Sequence, residues 1–211
     1  MAFIEMKNVS KSFKGMIIFE DINLSIDKGK IYGIIGHNGS GKSVLFKILC
    51  GFSAPNKGEV QIDGKILGRD ITFPDNFGVI IDRPGYISNK TGLENLRSLA
   101  LIQNKISDND IATTMSLVGL QPNAEQKVKD YSLGMKQKLA IAQAIMENQQ
   151  VLVLDEPFNA LDNDSVQHIR ELLLQFKKEG RTIILTSHNQ DDINLLCDKV
   201  YRINNYNLEE V

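Results

Sequence analysis

The chain has 211 residues, 42% of them hydrophobic, and a formal net charge of −2. That is enough for one domain with a substantial core, and a balanced charge with scattered Lys and Arg gives no nucleic-acid surface. There is no leader-like apolar core, no run of ~20 apolar residues able to span a bilayer, and no metal spacing of the two cysteines; a reduced, cytosolic protein is expected.

Residues 2–9, 22–27, 31–35 and 59–62 read as strands, several of them alternating, and Asp63-Gly64 supplies a turn. The first of these predict an N-terminal antiparallel β unit. A helix over 42–50 carries Val44, Leu45, Ile48 and Leu49 on one side, includes Cys50 as a small core residue and stops at Gly51. The apolar run at 77–81 reads as a buried parallel strand. Two capping boxes follow: Thr91-x-x-Glu94 opens a helix to about residue 103, and Ser107-x-x-Asp110 opens another that stops at Gly119. A third helix, 132–147, has Ser132 as its N-cap and Leu139, Ile141, Ala142, Ile145 and Met146 on its apolar face. Short apolar strands return at 150–155, 182–186 and 200–203, around a helix over 163–179 that ends at Gly180. The expectation is an α/β fold: a mostly parallel core from 1–83 and 149–211, interrupted by an α-helical insert over 84–148.

The strongest chemical signal is IYGIIGHNGSGKS at 31–43, a strand, then Gly36-x-x-x-x-Gly41-Lys42-Ser43, then a helix. That is the phosphate loop of a P-loop NTPase in its required context. Gly36, His37, Asn38, Gly39, Ser40 and Gly41 would turn backbone N–H groups inward around phosphates, and Val44, in the helix behind them, is expected to belong to the same nucleotide-binding set. Lys42 would reach the β- and γ-phosphates, and the Ser43 hydroxyl would take one Mg²⁺ position.

VLVLDEP at 151–157 places two acids at the carboxyl end of a buried strand, where open α/β sheets bind ligands. Asp155 would sit in the Mg²⁺ shell and Glu156 would polarise the attacking water. His188 follows the strand at 182–186 in the same way and is expected at the γ-phosphate. His168 lies in a helix and carries no such argument.

These residues resemble, in order and over essentially the whole chain, the ATP-binding cassette (ABC) ATPases. By that resemblance Gly36–Ser43 is Walker A, Val151–Glu156 is Walker B with the catalytic Glu, Asn159–Asp162 is the D-loop and His188 is the switch histidine. Phe13 resembles the aromatic that stacks on adenine. YSLGM at 131–135 resembles the LSGGQ signature, keeping Ser132 and Gly134 and departing at Leu133 and Met135. SLGMKQ is similar to the version in bacitracin-resistance and lantibiotic-immunity exporters. The resemblance implies that Ser132 and Gly134 contact the γ-phosphate of an ATP held by another subunit.

Where the family places a Gln that reaches Mg²⁺ after the strand at 77–81, this chain has Asp82. An acid can ligate Mg²⁺ with a full charge. Beside Asp155, Glu156 and a triphosphate it is expected to repel nucleotide until metal arrives. The other reading is that Asp82 simply faces solvent.

The resemblance implies an ATP-hydrolysing subunit, using ATP and Mg²⁺, that powers a membrane exporter of the peptide-antibiotic resistance type. It would work as an ATP-dependent dimer with a second copy or a paralogous ATPase subunit. Separate transmembrane permease subunits would hold it at the cytoplasmic face of the membrane, with no nucleic-acid partner. The alternative is a soluble ABC ATPase acting on DNA or the ribosome. Only residues 44–131 separate Walker A from the signature, too few for the long coiled coil of chromosome-associated members. Translation-factor members carry two cassettes, and this chain carries one. A GTPase would need N-K-x-D, which NKIS at 104–107 does not supply.

Overall fold

A computed structural model describes residues 2–82 and 85–211. The N-terminal half supplies β1 (Ile4–Phe13), β2 (Met16–Ile26), β3 (Ile31–Ile35), α1 (Lys42–Leu49), β4 (Lys57–Ile62), β5 (Lys65–Ile66) and β6 (Phe77–Ile80). Three helices follow, α2 (Gly92–Gln103), α3 (Asp108–Leu117) and α4 (Leu133–Ile145), with a short 3₁₀ turn at Val128–Asp130 before the last. The chain then returns through β7 (Val151–Leu154), α5 (Asn163–Lys178), β8 (Thr182–Leu185), α6 (Gln190–Leu196), β9 (Lys199–Asn204) and β10 (Asn207–Glu210).

The first hairpin is longer than its alternating stretches suggest. Lys14 and Gly15 both have positive φ, so a two-residue turn joins β1 to β2 directly, and register shifts along the pair let the strands twist. β1 and β2 join β4 and β5 in an antiparallel sheet of order β2-β1-β4-β5. The central sheet runs β10-β9-β3-β8-β7-β6, parallel throughout except for β10 against β9.

Both faces of the central sheet are covered, which is why its strands are continuous apolar runs. In β7, Leu152 and Leu154 pack on one side with α4 and α5 residues such as Ile141, Leu172 and Leu173. Val151 and Val153 pack on the other with Leu45 and Leu49 of α1 and the antiparallel sheet. Cys50 belongs to that second layer, and burial pushes its thiol up to about 12.

The capping boxes are formed at both expected places. The Thr91 hydroxyl accepts from Glu94 N while Glu94 Oε2 accepts from Thr91 N, and Ser107 and Asp110 do the same. Helices α2, α3 and α4 share one apolar cluster through Leu96, Ile111, Met115 and Leu139. The boundary expected at residues 83 and 84 falls outside the described residues.

This topology positions the site. β3, β8, β7 and β6 are consecutive neighbours in the sheet and run in the same direction. The segments that leave their carboxyl ends therefore emerge side by side: the phosphate loop, residues 186–188, Asp155-Glu156 and Asp82.

Candidate nucleotide site

The phosphate loop is held by its own backbone and by Lys42. Ser40 N donates to His37 O at 3.1 Å, and Lys42 Nζ donates to Gly36 O at 2.9 Å and His37 O at 3.3 Å. Gly41 has φ of +104°, and a Cβ there would meet Phe19 Cε1 at 2.6 Å, so only glycine fits. No side chain caps the start of α1, which leaves its first amides free for an anion. The buried Ser40 Oγ has no hydrogen-bond partner within the protein. These are features that a polyphosphate satisfies.

Ser43 Oγ donates to Asp155 Oδ2 at 2.5 Å, joining the loop to the end of β7. Asp155 Oδ1 accepts from Thr186 Oγ1 at 2.8 Å, and the same hydroxyl accepts from Glu156 N at 2.8 Å. Thr186 is wholly buried and sets both acids from the end of β8. Motif reading passed over it; its signal was a hydroxyl immediately past the strand neighbouring the acids.

Glu156 has a φ of +52°, which turns its side chain away from the run of β7. Its Oε2 accepts from His188 N at 3.2 Å. Its Oε1 lies 3.2 Å from His188 Nε2, yet is buried and makes no hydrogen bond. Burial raises the Glu156 carboxyl above its ordinary value; Asp155 adds to this, while His188 and Lys42 oppose it. A half-buried carboxylate with one unpaired oxygen is suited to hold and deprotonate a water.

Asp155, Glu156, His188 and Asp82 line one cavity of about 800 Å³ together with Asn38, Gly39, Gly41, Lys42, Ser43 and Val44. Gly36, His37 and Ser40 do not line it, and Gly36 O and His37 O accept from Lys42 Nζ. Phe13 does not line the cavity: its ring is 48% exposed at the end of β1, with Lys11 Nζ 4.7 Å from its centre. Ile18 of β2 forms that part of the wall instead.

The opposite wall comes from the start of α4. Leu133, Lys136 and Gln137 line the cavity, whereas Ser132 and Gly134 do not. Ser132 Oγ accepts from Met135 N at 3.1 Å, as an N-cap. A Cβ on Gly134 would lie 2.8 Å from Ala160 O, so this glycine lets α4 approach the loop after β7. Gln137, also passed over in the sequence, donates through Nε2 to Glu156 O at 3.3 Å and Pro157 O at 3.0 Å. Asp162 caps α5, its Oδ1 accepting from Ser165 N at 2.8 Å; that bond holds its carboxyl below the usual range.

Asp82 has a φ of +58°, and its Oδ2 lies 2.7 Å from Lys47 Nζ. Among the described residues no three His, Cys, Asp or Glu side chains cluster as metal ligands. The donor set near the phosphate loop is Ser43 with Asp155, and Asp82 lines the same cavity. A hydroxyl and one or two carboxylates suit Mg²⁺, which keeps waters and takes its remaining ligands from phosphates.

Comparisons with known proteins bear on the same residues. The sequence profile described as ABC transporter matches residues 19–159. The chain is 43% identical to YybJ of Bacillus subtilis, described as an uncharacterized ABC transporter ATP-binding protein, over 98% of this chain and 94% of that one. It is 38% identical to the bacitracin transport ATP-binding protein BcrA of Enterococcus faecalis, over 93% of this chain and 65% of BcrA, just under two thirds of that longer protein. Among solved structures, the MJ0796 cassette, a dimer in a post-hydrolysis state bound to ADP and Pi, superposes with a TM-score of 0.86 over 98% of each chain at 22% identity, which establishes the shared fold. Among the described residues no helix is long and apolar enough to cross a membrane.

Proposed function

The chain belongs to the ABC transporter family as an ATP-binding, ATP-hydrolysing subunit, and from that premise we propose how its residues divide the work and what it serves. The observation that carries the reading is the convergence of Lys42, Ser43, Asp155, Glu156 and His188 on one cavity.

Lys42 exchanges its two loop carbonyls for the β- and γ-phosphates, and the loop amides and Ser40 hydroxyl complete the cradle. Ser43 and Asp155 would hold Mg²⁺, which would supply neutralising charge on the phosphate oxygens. Glu156 takes the proton of the attacking water, helped by a carboxyl that burial makes a stronger base than a free one. His188 bridges from Glu156 toward the γ-phosphate. Phe13 stacks on the adenine only if the base lies across the end of β1, outside the cavity wall. The insert that carries α2, α3 and α4 acts as a helical subdomain that presents the signature.

The site works as a dimer, with Ser132 and Gly134 of a second copy, or of a paralogous subunit, closing on the nucleotide. The dimeric state of the MJ0796 cassette supports this arrangement. Separate permease subunits in the membrane take up the work on the cytoplasmic side, and the cargo is of the peptide-antibiotic type, a reading supported by the likeness to BcrA.

The test is Mg²⁺-dependent ATP hydrolysis against protein concentration, with Lys42→Ala as the control. Activity rises more than linearly at low concentration, and Lys42→Ala loses tight nucleotide binding. Strictly linear activity down to a monomeric sample would sink the dimer. Unchanged ATP affinity in Lys42→Ala would sink the loop assignment.

A further inference from the structure

Asp82 stands where two cavities meet. Among the described residues it is the one that lines both the nucleotide cavity and a second cavity of about 450 Å³, walled by Lys47, Phe52, Phe77, Gln143 and Gln149. Its carboxylate is committed to the second side, 2.7 Å from Lys47 Nζ. Lys47 belongs to α1, the helix that the phosphate loop itself begins, and its carbonyl is fixed by Phe52 N at 2.8 Å.

We propose that Lys47 is a positioning residue for the metal: it holds Asp82 away from the nucleotide and releases it when Mg²⁺ arrives. The inference rests on reading the larger cavity as a Mg²⁺-nucleotide site. A third carboxylate beside Asp155, Glu156 and a triphosphate repels the ligand unless something neutralises it. Lys47 does so locally. The pair is well exposed, with side chains 38% and 60% accessible, so it is weak enough to yield to a divalent cation. Asp82 has the left-handed backbone that aspartate tolerates, so only its side chain needs to turn between partners. Lys47 and Mg²⁺ therefore compete for one carboxylate, and the metal's arrival leaves an unpaired ammonium on the wall of the second cavity.

The test is ATP affinity by calorimetry, titrated from chelator through rising Mg²⁺, for wild type, Lys47→Met, Asp82→Asn and the double variant. With the competitor gone, Lys47→Met reaches half of its Mg²⁺-dependent gain at about two- to fivefold lower Mg²⁺, the scale of an exposed ion pair. Lys47→Arg, which keeps the charge, behaves as wild type. In the Asp82→Asn background Lys47→Met leaves the Mg²⁺ midpoint where it was. An unmoved midpoint in Lys47→Met overturns the proposal. So does an equal movement with and without Asp82, which makes Lys47 a general field rather than a contact. A wild type that binds no ATP overturns the nucleotide site itself, an outcome distinct from the other two.

Discussion

Ser43 and Asp155 lie 112 residues apart in the chain and share a 2.5 Å hydrogen bond from the serine hydroxyl to Asp155 Oδ2. The phosphate loop and the end of β7 are thus already joined at the atoms that would share Mg²⁺. Ser43 and Asp155 would hold the metal from these positions, and it would supply charge to neutralise phosphate oxygens.

Asp155→Asn should therefore weaken ATP binding in Mg²⁺ by about tenfold, the scale of losing one charge-assisted interaction. In chelator the same variant should bind ATP at least as well as wild type, because one negative charge has gone. Calorimetry under the two conditions checks this, and equal losses in both would place Asp155 outside the metal shell.

Glu156→Gln should bind ATP but hydrolyse it about 10²–10⁴-fold more slowly, the usual cost of losing a general base. Sedimentation should show an ATP-stabilised dimer in this variant. Wild-type turnover in Glu156→Gln would remove Glu156 from the role.

The raised Glu156 carboxyl carries two pH consequences. Its acid limb of activity lies above that of an ordinary glutamate, so the rate falls as pH drops through the raised value. For stability the sign is the reverse of the usual carboxylate case: the folded chain holds the proton more tightly than the unfolded one. The ionised group therefore costs stability above the unfolded-state value and nothing well below it. Glu156→Gln should melt higher than wild type at neutral pH, with the gain vanishing in acid. A gain that persists unchanged in acid would mean that burial of the charge is not its source.

Thr186→Val keeps the shape of a wholly buried side chain but removes the partner of both Asp155 Oδ1 and Glu156 N. Each group left unpaired costs about 1–3 kcal/mol. Urea denaturation should show a loss of about 2–6 kcal/mol for the two groups together, accompanied by slower hydrolysis. Thr186→Ser retains the hydroxyl and should recover most of both. Wild-type stability in Thr186→Val would show that water replaces the hydroxyl.

The parts of the site that rest on local geometry were legible in the sequence. A strand, a glycine loop and a helix start form within about fifteen residues of one another, and both capping boxes close over three residues. What depends on packing was not legible. Asp82 reads as an unbalanced charge because its counter-ion, Lys47, is on a helix that only the sheet order brings close. Gln137 reads as one more polar helical residue until α4 is laid against the end of β7. Phe13 matches by position, but the direct turn at Lys14-Gly15 leaves it on the outer end of a hairpin, with Ile18 on the cavity side. β5 and α6, of two and seven residues, are too short for a hydrophobic period to register.

The strand that bears the phosphate loop has a further consequence for synthesis. β3 pairs on one side with β8 and on the other with β9, so both of its neighbours are made about 150 residues later. A nascent chain that ends at residue 180 holds the whole glycine loop and both acids, yet has no hydrogen-bonded ladder on which to hang the loop. Among the described residues, 182–211 add only His188 to the cavity lining; they close the sheet around β3. Nucleotide capture is thereby timed to the synthesis of β8 and β9, and chains arrested before residue 182 should emerge from the ribosome unable to retain ATP.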